Sequence, residues 1–355
     1  MSEKEFSKPQ QKPVGAAIFG AGWVAGEHAK AYQNCARTQL VAVGSRSLES
    51  AQNCAKLAGA PDAFCTTSFE EILARPDVDL ISITTPPRFH AELCVRAARA
   101  GKHLCIEKPL ALDWKSCQEI EKAIAQSQVK SVVSFVLHWN PSLLITKNLI
   151  ERGAVGTPTY IEVDYWHGQQ KWYPQYPWSV TKEGGGSSLL SAGCHALDAM
   201  RWFAGIDNEV VEVSAFSTPH RGDNPDWGYD PTLILICKFA DGTLGKVASV
   251  LDCVMPYEFN VSVLGTKGTI KNNRVWSEEL FPGQIDWAEI PTVLPNSGDV
   301  THHPFDGQIE NFAAAILDNA PILPDIHDAM KTHQLLFAAD ESARIGKPIV
   351  LADFK

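Results

Sequence analysis

Two hydrophobic periods divide the chain. Between residues 14 and 135, short apolar runs at 14–19, 39–43, 80–83, 103–106 and 131–135 have the length of buried strands. The segments between them, 23–34, 48–57, 89–100 and 114–126, repeat their apolar positions every three to four residues and predict helices. Asp113 stands where an N-cap for the fourth helix is expected. Strand–helix alternation with short connections predicts parallel βαβ units in a doubly wound sheet. Beyond Pro141 the pattern changes. A helix at 141–152 ends at Gly153, an extended stretch follows at 159–165, and an aromatic loop runs over 166–178. Gly184-Gly185-Gly186 precedes a helix at 188–204. Strands are expected at 210–217, 233–239, 243–250 and 259–264, with turn signals at Asp241-Gly242 and Thr266-Lys267-Gly268. Helices at 305–317 and 327–345 follow. The expected organisation is a flexible arm (1–13), an α/β domain (14–138), and a separate α+β domain built on a run of antiparallel strands (139–355).

Composition narrows the function. The 355 residues suit two domains, and 45% hydrophobic with 20% charged residues is ordinary for a globular protein. A net charge of −10 disfavours nucleic acid and anionic membrane surfaces as partners. No apolar run approaches the ~18 residues of a membrane-spanning helix, and the polar start has no signal-peptide core. Nine cysteines are scattered without a C-x-x-C pair, which argues against a zinc site or a disulfide framework and for a reducing cytoplasm; no metal is expected.

The most informative local feature is Gly20-Ala21-Gly22-Trp23-Val24-Ala25, a G-x-G-x-x-A turn between the first strand and the first helix. Gly20 allows the bend, Gly22 lets a pyrophosphate approach the backbone, Ala25 lets the helix pack close, and the helix N-terminus offers free N–H groups. This places a dinucleotide across a Rossmann domain. At the end of the second strand, Val43-Gly44-Ser45-Arg46-Ser47 carries no acid to bind a ribose 2′-hydroxyl. Ser45 and Arg46 suit a 2′-phosphate instead, so NADP is favoured over NAD. Glu107-Lys108-Pro109 follows the apolar run Leu104-Cys105-Ile106 and brings a lysine to a strand end beside the cofactor.

The glycine turn, Thr85-Pro86-Pro87-Arg88-Phe89-His90, Ala100-Gly101-Lys102-His103, Glu107-Lys108-Pro109 and a later His195-x-x-Asp198 occur in one order. That order resembles the glucose–fructose oxidoreductase / inositol dehydrogenase (Gfo/Idh/MocA) family over nearly the whole chain. The resemblance implies a nicotinamide-dependent oxidoreductase in which Lys108 serves the reacting oxygen and His195 acts as acid/base. It also implies that 139–355 is a substrate-binding and oligomerisation domain with a large, mostly antiparallel sheet, through which a homodimer or homotetramer is built. Thr85, Pro86, His90, Glu107 and Lys108 are expected to flank the cofactor. Asp198, three residues after His195, is expected to bind a substrate hydroxyl or orient the imidazole. Two positions depart from the family pattern. Ser191 stands four residues before His195, where relatives commonly have aspartate, and cannot support the imidazole by charge. His138-Trp139 replaces a common arginine–phenylalanine pair, either lining the interdomain cleft or packing between domains.

Trp166, His167, Trp172, Tyr173, Tyr176 and Trp178 crowd one loop. Flat aromatic faces with amide and imidazole groups suit a sugar or cyclic polyol, although such an arm could equally pack on a neighbouring subunit. The expected reaction is hydride transfer between nicotinamide and a secondary hydroxyl. Two other readings stay open: NAD-dependent glycoside cleavage with transient redox, for which Ser191 and the aromatic loop speak, and a non-enzymatic NADP sensor.

Overall fold

The computed structural model describes residues 12–171, 173, 175–222, 227–292 and 303–354. Six short strands come first: β1 (Val14–Phe19), β2 (Thr38–Gly44), β3 (Phe64–Thr66), β4 (Leu80–Ile83), β5 (His103–Ile106) and β6 (Ser131–Val133). They form an all-parallel sheet in the order β3-β2-β1-β4-β5-β6. β4 and β5 are almost wholly buried, as strands covered on both faces must be. The intervening helices are α1 (Trp23–Asn34), α2 (Leu48–Leu57), α3 (Phe69–Leu73), α4 (His90–Arg99) and α5 (Trp114–Ser127). The side chains of Ser47, Ser68 and Asp113 cap α2, α3 and α5. α1 begins at Gly22 with no side-chain cap, which leaves its first N–H groups available.

After α6 (Pro141–Glu151), a second sheet gathers β7 (Pro158–Trp166), β8 (Val210–Thr218), β9 (Thr232–Phe239), β10 (Leu244–Val250), β11 (Glu258–Gly265), β12 (Gly268–Lys271), β13 (Arg274–Ser277), β14 (Ala288–Glu289) and, from the C-terminus, β15 (Ile349–Val350). Its order is β14-β13-β12-β11-β7-β10-β9-β8-β15. Every pair is antiparallel except β7 with β10. The α/β architecture with a Rossmann-type parallel sheet and a mostly antiparallel second sheet is therefore the one expected. The helices α7 (Tyr176–Ser179), α8 (Cys194–Ala204), α9 (Phe305–Asp318) and α10 (Ile326–Ile345) complete the fold. α8 lies on β7 and β10, and α10 packs on β8. The two parts do not fold apart. Phe305, Ile309 and Phe312 of α9 join the core formed by β1 and α1, and α10 reaches α5 and β6. Among the described residues, no helix is long and apolar enough to cross a membrane, and no cluster of metal-ligating side chains occurs.

The helix expected at 188–204 opens irregularly. Leu189–Gly193 form a π-helical turn before α8. A side chain on Gly193 would come 2.6 Å from the Ser249 side chain on β10, and the Ser188 and Ser249 hydroxyls lie 2.7 Å apart. The wider turn accommodates this close approach. It also presents Ser191, Ala192 and His195 toward the first sheet.

Candidate active site

A cavity of about 560 Å³ opens where the carboxyl ends of the parallel strands face the second sheet. Gly20, Ala21, Gly22, Trp23 and Val24 form one wall. Gly20 is held at φ +111°, and a Cβ there would lie 2.7 Å from the Thr84 backbone. Gly22 differs: a Cβ would meet nothing within 4 Å, so the space beside it is open. That opening and the uncapped start of α1 fit a pyrophosphate. Ser45, Arg46 and Ser50 line the cavity beyond the end of β2. Thr85 and Pro86 line it beyond β4, and Glu107 and Lys108 beyond β5.

The Glu107-to-Leu110 turn is fastened by three buried histidines. His28 of α1 brings Nε2 within 2.8 Å of the Glu107 carboxylate, while its Nδ1 lies 3.0 Å from the Ser82 hydroxyl. Burial opposes ionisation of Glu107. The hydrogen bond and charge of His28, with the charge of Lys108, outweigh it and hold the carboxyl below its ordinary range. Burial likewise opposes protonation of His28, but the Cys105 sulfur and Glu107 raise its pKa above the ordinary value. His90 faces two acceptors, the Thr85 carbonyl at 2.7 Å and the Pro109 carbonyl at 3.0 Å. Two carbonyls favour the protonated ring, yet burial prevails and holds its pKa below the ordinary value. His333 of α10 accepts the Leu110 N–H at 2.9 Å.

Lys108 Nζ donates to the Ser191 carbonyl, 3.3 Å away, and so touches the π-helical turn that leads to His195. His195 is buried, stacked on Tyr165 with centroids 6.2 Å apart and edge-on to Phe135 at 6.0 Å. Tyr165, Gln169, Tyr173, Gln175, Trp178 and Ser179 bound the cavity from the second sheet and the aromatic loop. The glycine run lets this loop close down. A Cβ on Gly184 would lie 2.1 Å from the Trp178 carbonyl, and one on Gly185 1.9 Å from the Ser179 carbonyl.

Several expected residues stand elsewhere. Asp198 does not line the cavity. Three residues advance about 300° around a helix, and this turns Asp198 to His138 Nε2 at 2.5 Å and the Thr332 hydroxyl at 3.1 Å. His138 stacks on Trp202 with centroids 4.3 Å apart, and neither His138 nor Trp139 lines the cavity, although Ser134 and Val136 of the same segment do. Trp166 alternates with Tyr165 on β7, and only Tyr165 faces the cavity. His167 is buried among Tyr165, Tyr173 and Tyr257. His90 lies behind the cavity wall and fastens two strand ends. Trp172 falls outside the described residues. Gln169, an amide of the aromatic loop, does line the cavity, while the sequence pattern did not single out Tyr165, Gln175, Ser179 or His303. His303 lines the cavity beside His195 only because α9 folds back on α1. No local signal marks it.

The family model described as an oxidoreductase family with an NAD-binding Rossmann fold matches residues 14–135, and the GFO/IDH/MocA C-terminal domain matches residues 144–271. An uncharacterized oxidoreductase of Synechocystis sp. is 30% identical over 212 residues, 59% of this chain and 56% of that relative. An inositol 2-dehydrogenase of Rhizobium meliloti is 26% identical over 337 residues, 94% of this chain and 98% of that relative. A solved levoglucosan dehydrogenase in complex with NADH and L-sorbose shares the fold, with a TM-score of 0.85 at 21% identity over 96% of this chain and 99% of that one. With the glycine turn, the Glu107-Lys108-Pro109 strand end and both domains in place, the chain belongs to the Gfo/Idh/MocA family of oxidoreductases.

Proposed function

We propose that this protein transfers a hydride between the nicotinamide of NADP and a secondary hydroxyl of an uncharged sugar or cyclic polyol. The observation that carries this reading is that one cavity holds the glycine turn, Ser45 and Arg46 at one end and Lys108 with His195 at the other. The bound nicotinamide supplies the hydride acceptor. Lys108 steadies the oxygen as negative charge develops on it, and His195 takes the hydroxyl proton. Tyr165, Tyr173 and Trp178 offer faces for ring C–H groups, and Gln169, Gln175 and Ser179 offer hydroxyl partners. Inositol 2-dehydrogenase among the full-length relatives supports the substrate class. Arg46, with no acid among the cavity residues at the end of β2, supports NADP.

The test is absorbance at 340 nm with NADP or NAD and a panel of inositols, aldoses, sugar lactones and glycosides. Reduction of cofactor by one class establishes the reading. Consumption of a glycoside without net reduction would favour transient-redox cleavage, the alternative that Ser191 beside Lys108 keeps in play.

The assembly we propose is a homo-oligomer through the open face of the second sheet. Phe216 and Ile234 are register partners on β8 and β9, and with Ile236 they are 74%, 44% and 56% exposed. Such a contiguous apolar face suits a second copy of the chain. Light scattering that returns a monomer mass near 38.8 kDa would refute it.

A further inference from the structure

We propose that His303 is a proton relay between His195 and solvent, an inference that rests on the dehydrogenase reading above. His195 is 2% exposed, so a proton it receives needs a way out. Its ring neighbours differ in what they can do. Phe135 exchanges no proton. Tyr165 is stacked on His195, but burial holds its phenol well above the ordinary range. Lys108, as an ammonium, has no lone pair to accept with and donates to the Ser191 carbonyl. Asp198, one turn further along α8, is engaged with His138 and Thr332, and Glu107 is engaged with His28. Ser191 supplies no carboxylate at the position four residues before His195.

Among the described residues, His303 is the neighbour suited to the task. Its ring centroid lies 5.4 Å from that of His195 at 42°. Two imidazoles joined by one N–H···N bond have centroids about 5 Å apart, so a small rotation brings them together. An imidazole can accept on one nitrogen and release from the other. His303 is half-buried where His195 is buried, and it lines the same cavity. Its place is set by the start of α9: it contacts Phe305 at 6.3 Å, and Phe305 in turn lies 5.1 Å from His28.

The step balances. The alcohol loses one hydride to the oxidised nicotinamide dinucleotide and one proton to His195, leaving a carbonyl. His195 passes its proton to His303, and His303 releases one to water. In the reductive direction the proton enters by the same route.

The test uses the full chain and His303→Gln, with two readouts. The first is the ¹³C NMR titration of histidine-labelled protein without cofactor or substrate. Coupled titration of His195 and His303 is expected, with a single shifted His195 transition in the variant; independent titration overturns the pairing. The second is turnover in dilute buffer. The variant is expected to lose at least about tenfold in kcat, with unchanged KM and cofactor Kd, and added imidazole should restore the rate. Full rate in dilute buffer overturns the relay. So does a loss that imidazole does not restore, or one confined to cofactor binding. Should no polyol or sugar reduce the cofactor with the wild type, the dehydrogenase reading fails on its own, while the NMR titration still decides whether the two imidazoles are coupled.

Discussion

The Leu110 N–H donates to His333 Nε2 at 2.9 Å, joining the turn after β5 to a helix 223 residues further along the chain. An amide nitrogen can only donate, so Nε2 must be unprotonated. Nδ1 then carries the hydrogen and donates to the Ala329 carbonyl at 2.8 Å. The ring is neutral, and burial depresses its pKa to about 4. The folded pKa lies below the unfolded value near 6.5, so the unfolded chain binds the extra proton first. This contribution to stability is fully present above pH 6.5 and is lost as the pH falls toward 4. At pH 5 the loss should be about 2 kcal/mol. Thermal unfolding of wild type and His333→Gln between pH 7 and 5 should show a steeper fall for the wild type. Parallel slopes would show that His333 titrates normally.

Lys108 is braced through the same turn, by Glu107 on one side and Pro109 and Leu110 on the other. Its role should be separable from cofactor binding. Lys108→Ala is expected to lower kcat by about 10²–10⁴ while cofactor Kd, read by fluorescence titration, stays within about twofold. Lost cofactor binding with normal turnover at saturation would remove Lys108 from the chemistry.

How far these features were legible depends on whether the signal was local. β1, β4 and β5 stood out because continuous apolar runs are what a doubly covered strand requires. β3 has three residues and an exposed Phe64, and β14 and β15 have two residues each, too short for any periodicity. The cavity wall formed by Gly20 to Val24 and by Ser45 and Arg46 could be read, because a contiguous segment forms each part. The wall formed by the second sheet could not. Asp198 shares a helix with His195 yet faces α10, and Trp166 follows Tyr165 yet points to the other face of β7. His28, His303 and His333 come to the site through packing of α1, α9 and α10, which nothing in their neighbouring residues announces.

Two glycines of one motif should fail in opposite ways. Gly20 is in a left-handed conformation against the Thr84 backbone, so Gly20→Ala should destabilise the empty protein by about 2–4 kcal/mol. Gly22 has φ −84° and open space where its side chain would go, so Gly22→Val should melt within about 2 °C of wild type. Its cofactor affinity should nevertheless fall more than about tenfold, because the valine would occupy the room left for the pyrophosphate. Calorimetry without and with cofactor separates the two effects. A Gly22→Val protein that binds cofactor normally would mean that the dinucleotide does not cross this turn.

The proposed preference for NADP rests on Arg46. It is exposed at the end of β2, lines the cavity with Ser45 and Ser50, and forms no ion pair among the described residues. Glu49, the nearest acid along the chain, does not line the cavity. A 2′-phosphate there would gain a charge-assisted contact worth about 1.5–3 kcal/mol, whereas a 2′-hydroxyl would gain little. Arg46→Ala should therefore raise the Kd for NADPH by about tenfold or more and leave that for NADH within about twofold. Replacement by an acid, Arg46→Asp, should go further and reverse the preference, since a carboxylate repels the phosphate and accepts from the ribose. Equal changes for both cofactors in both variants would place the adenosine ribose away from this strand end, and the NADP assignment would fall with it.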